Sequence, residues 1–131
     1  TPTNSGVLLH TQGPDQLWPA CIEAQLQHEH AGDFVTIQPS SSIQVGGREY
    51  SPTGDQLYLA IGKQYESSEN PPGEWNSYDI ICKNNTIQLL VNTVEQNEGV
   101  NASYSSGAIC LQAEGSPIEF RNIYMIPIKK K

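Results

Sequence analysis

Glu23, Gln25 and Gln27 stand two residues apart in the run from Cys21 to Asp33. In an extended strand alternate side chains leave the same face. This spacing therefore sets one carboxylate and two carboxamides in a row, with Ile22, Ala24 and Leu26 on the opposite, apolar face. Amides both donate and accept, so they hold polar groups, while a carboxylate moves a proton. His28, His30 and Asp33 follow where the strand should end, adding groups that change charge near neutral pH. Glu23 or a nearby histidine is the candidate base, and His10, His28 or His30 the candidate acid. Glu23, His28 and His10 are thus the expected catalytic residues, and Gln25 and Gln27 the expected substrate-binding ones. The same histidines with Glu23 and Asp33 are residue types that ligate a divalent cation. The HExxH spacing of a helical metal site is absent, and neither a metal nor another cofactor is expected.

The rest of the chain reads as the scaffold for that row. Short apolar runs alternate with Gly, Pro and Asn turns: Val7 to His10, Phe34 to Ile37, Leu57 to Ile61, Ile80 to Cys82, and Gly107 to Gln112. Ile43-Gln44-Val45 and Arg48-Glu49-Tyr50 flank Gly46-Gly47, the chemistry of a two-residue hairpin. Asn84-Asn85 is a second hairpin turn, with strands expected over 75–83 and 86–92. A polar loop over 99–106 and a last strand over 118–128 complete the reading. No amphipathic helix of useful length is present, and no internal repeat. The pattern predicts an all-β sandwich or jelly roll.

With 131 residues the chain suits one domain with a real core. Its net charge of −7 argues against nucleic acid or an anionic membrane as partner. The basic run Lys129-Lys130-Lys131 reads as a solvated tail. No apolar run is long enough to span a membrane as a helix. Three cysteines cannot all pair within one chain. Cys82 and Cys110 sit inside apolar strands and read as buried free thiols, with a bridge between them as the alternative.

Two longer segments carry a resemblance. One is Pro72-Gly73-Glu74-Trp75-Asn76-Ser77-Tyr78-Asp79-Ile80-Ile81-Cys82. The other runs from Gly107 through Leu111-Gln112-Ala113-Glu114-Gly115-Ser116-Pro117-Ile118-Glu119-Phe120-Arg121-Asn122-Ile123. With Asn4-Ser5-Gly6-Val7 and Ile22-Glu23-Ala24-Gln25, they resemble the 3-keto-disaccharide hydrolase domain family over residues 1–131. The resemblance implies a concanavalin A-like jelly roll of two curved antiparallel sheets with a sugar-binding concave face. Family members carry further strands before the Asn4-Ser5-Gly6 segment, so those N-terminal strands are expected to be lacking here. The resemblance also implies a carbohydrate partner and a secreted or periplasmic bacterial location.

The activity so implied is cleavage of 3-keto-glycosides, by hydrolysis or β-elimination. It suits a row with a single carboxylate. A retaining glycosidase needs two carboxyl groups roughly 5–5.5 Å apart, and this strand offers one. A C3 ketone acidifies the proton on C2, so one base is enough to start the bond cleavage. Gln112 and Glu114 at a strand end, Arg121 beside Glu119, and Trp18 as a stacking platform join the expected substrate-binding set. Trp75 reads as a core residue. The alternative functions are a non-catalytic carbohydrate-binding module and, more remotely, a structural or adhesion domain.

Overall fold

In a computed structural model the protein is described over residues 4–129. It is all-β, with ten strands in three antiparallel sheets and no helix among the described residues. The strands are β1 (Asn4–Thr11), β2 (Cys21–Gln25), β3 (Phe34–Ile37), β4 (Ile43–Val45) and β5 (Arg48–Tyr50). They continue as β6 (Tyr58–Ile61), β7 (Tyr78–Lys83), β8 (Thr86–Val91), β9 (Val94–Gly99) and β10 (Ala108–Glu114). A five-stranded sheet runs β10-β1-β2-β3-β6, and the β7-β8-β9 sheet and the β4-β5 hairpin cover one of its faces.

The two faces of β2 explain the packing. Ile22 and Ala24 point inward and meet Leu9, Phe34 and Ile61 of their own sheet and Ile43, Ile87 and Leu89 from across the sandwich. Ile22, Phe34, Ile43, Ile87 and Leu89 are fully buried, each a favourable transfer of roughly 1.5–3 kcal/mol. The other face of the sheet has its own smaller apolar cluster of Leu8, Cys21, Val35 and Ile37, against which Trp18 and Cys110 pack.

The hairpins form where the turn residues demand. Gly46 and Gly47 have φ of 60° and 81°, the doubly left-handed turn that matches strand twist. Asn84 opens the β7–β8 turn at φ 53°. Two expectations differ. β9 is an additional strand, carried by a polar sequence and a second turn at Asn92 and Thr93 (φ 51° and 69°). Residues 118–128 form no strand, because no neighbour supplies a hydrogen-bond ladder. Ile123, Tyr124, Met125 and Ile126 are exposed there. Trp75 lies outside the core, 42% exposed, with the Arg121 guanidinium stacked 3.9 Å from its ring centre. All three cysteines are free, Cys21 buried and Cys82 and Cys110 half-buried. Of the basic run, Lys130 and Lys131 lie outside the described residues. No described helix is long and apolar enough to cross a membrane.

Candidate functional site

Glu23 leaves the outward face of β2, flanked by Leu8 on β1 and Val35 on β3. It is only 4% exposed. Its side chain leans over β1 at Gly6, where a Cβ would strike the carboxyl group. The glycine of the Asn4-Ser5-Gly6 segment thus makes the room that Glu23 occupies. Its Oε1 is buried and finds no hydrogen-bond partner. Burial, and secondarily the Glu114 carboxylate, push the Glu23 carboxyl up to about 7, because a charge without water or a donor is costly.

Glu114 arrives from the far edge of the sheet. β10 pairs with β1 so that Glu114 lies opposite Asn4 and Gln112 opposite Gly6. The side-chain amides of Asn4 and Gln112 both donate to Glu114 Oε2, at 3.1 and 3.0 Å. Both amides leave their own oxygens, Asn4 Oδ1 and Gln112 Oε1, buried and without donors. Three acceptor oxygens therefore cluster unpaired around this end of the face, counting that of Glu23. Beside them opens a hollow of about 270 Å³ lined by Leu8, Leu17, Trp18, Gln112, Ala113 and Glu114. Trp18 is fixed by its carbonyl, which accepts from Gln38 Nε2 at 2.7 Å.

The structure thus brings together Glu23, Trp18, Gln112 and Glu114 of the expected residues. It also adds Asn4 and Gly6, placed by the pairing of β1 with β10, and Leu17, which lines the hollow. The others lie apart. β2 ends at Gln25 because its Oε1 accepts the backbone amides of Leu26 and Gln27, at 3.0 and 3.1 Å. The row is therefore two residues long, and Gln27 sits in the turn beyond it. His10 occupies an irregularity in β1 at φ 52° and donates from Nδ1 to the Tyr104 carbonyl, 2.9 Å away. His28 Nδ1 stands 3.8 Å from Glu69, and His30 Nδ1 lies 3.0 Å from Asp33 Oδ2. These two histidines brace the β2–β3 connection, where Asp33 Oδ1 also accepts the Lys63 amide at 2.8 Å. Arg121 is on Trp75. Among the described residues no three His, Cys, Asp or Glu side chains gather as metal ligands. A second hollow, of about 210 Å³ between Val45, Gln64, Tyr65 and Glu98, holds none of the expected residues.

Comparison with known families matches residues 1–126 to the 3-keto-alpha-glucoside-1,2-lyase-like domain. The chain belongs to this family. No curated protein and no solved structure matches it. Membership ties this lyase-like domain to carbohydrate-related chemistry.

Proposed function

We propose that the protein cleaves the glycosidic bond of 3-keto-glycosides by β-elimination. The sugar ring sits in the hollow beside Trp18, and the carboxyl pair Glu23 and Glu114 provides the one base that the elimination needs. The observation that carries this reading is the pair itself: one carboxyl buried with an unpartnered oxygen, the other on the wall of the hollow and oriented by two amides. The ketone matters because it makes the C2 proton removable. Asn4 and Gln112 hold Glu114 on this face, and Gln112 lines the hollow as well.

The reading is tested by incubating the protein with a 3-keto-glucoside and with the same glucoside unoxidised, following the unsaturated ketone by its ultraviolet absorbance. Turnover of the oxidised sugar alone is expected. Binding of both sugars with turnover of neither would identify a carbohydrate-binding module instead.

A further inference from the structure

We infer that Glu114 is the base that touches the substrate, and that Glu23 is a positioning residue acting through it. This assignment rests on the lyase reading given above. It follows from access. Glu114 is exposed and lines the hollow, whereas Glu23 is 4% exposed and absent from the lining. Orientation agrees. The two amides that hold Glu114 both bind Oε2, and Oε1 takes no hydrogen bond among the described residues. A carboxylate fixed by one oxygen and free at the other presents a base in one direction. Glu23 lies behind it, across Gly6, close enough for the two charges to feel one another.

The step balances without a cofactor. Glu114 takes the proton from C2, and the electron pair of that bond passes into the enolate of the C3 ketone. The enolate returns the pair to form C1=C2 while the C1–O bond breaks. The departing oxygen takes a proton from solvent, and Glu114 gives its own proton back to solvent. The products are an alcohol and an unsaturated 3-keto sugar, with no net oxidation. Glu23 contributes through charge. When ionised, it sets a second negative charge close to that of Glu114, and the two repel. The charge of Glu23 in turn reaches Cys21 on its own strand and Tyr78 from β7. Burial raises the proton affinity of both, so they stay neutral while Glu23 titrates.

The test compares Glu114→Gln and Glu23→Gln with the unaltered protein on a 3-keto-glucoside in heavy water, reading both turnover and deuterium uptake at C2. Glu114→Gln should lose turnover at least about a hundredfold and lose the exchange with it, while its thermal midpoint stays near that of the parent. Glu23→Gln should keep measurable turnover, but its pH–rate profile should lose the inflection near pH 7 that is expected of the parent. If Glu114→Gln exchanges and turns over as the parent does, the assignment is wrong. The same holds if Glu23→Gln alone abolishes exchange. An unaltered protein that neither exchanges nor cleaves would overturn the lyase reading, and this assignment with it.

Discussion

At the scale of single residues, Glu23 makes the sharpest demand on the fold. Its carboxyl holds a proton up to about 7 in the folded protein, against 4.5 for an ordinary glutamate. Between these two values the folded state binds more protons than the unfolded one, so stability falls as pH rises through that window. The full loss is on the order of 3 kcal/mol. Chemical denaturation at pH 4.5 and pH 8 should show it. Glu23→Gln should show little of it and be the more stable protein at pH 8, since an amide carries no charge to bury. Equal pH dependence in parent and variant would mean that Glu23 is hydrated. The sequence shows that this glutamate shares a face with Gln25, because alternation is a local property. It does not show the burial, which comes from Leu8 and Val35 on neighbouring strands. Nor does it show that His10 would be turned onto the Tyr104 carbonyl 94 residues away.

At the scale of elements, the site is a product of register. β1 sits between β2 and β10, and its glycine lets a side chain from one neighbour reach toward the other. The Asn4–Glu114 hydrogen bond joins positions 110 residues apart. A single strand read by itself therefore offers one carboxylate, while the assembled sheet offers two. Hairpins with strong turn signals, such as Gly46-Gly47, are legible from local sequence. β9 is not, since Val94-Glu95-Gln96-Asn97-Glu98-Gly99 lacks the apolar alternation of a strand and is held by its pairing with β8. Residues 118–128 show the converse, an apolar strand-like sequence without a ladder. Gly6→Ala tests the register argument. The added methyl must displace the Glu23 carboxyl, so unfolding by urea should show a loss of about 1–3 kcal/mol. The variant's stability should also depend less on pH, as Glu23 is driven toward water. Unchanged stability would show that β1 and β2 are not packed this closely.

At the scale of the whole molecule, one sheet serves two purposes. Its inner face supplies the sandwich core, and its outer face combines a small apolar cluster with the carboxyl pair and the hollow beside Trp18. A protein of net charge −7 suits a neutral ligand better than an anionic one. The central claim is that this face breaks a glycosidic bond by first removing the proton on C2 of a 3-keto sugar. The most direct measurement is the turnover rate of a 3-keto-glucoside carrying deuterium at C2, set against the same sugar carrying hydrogen. The account predicts severalfold slower cleavage of the deuterated sugar at saturating concentration. Cleavage of both at one rate, with the deuterium retained in the product, would contradict it.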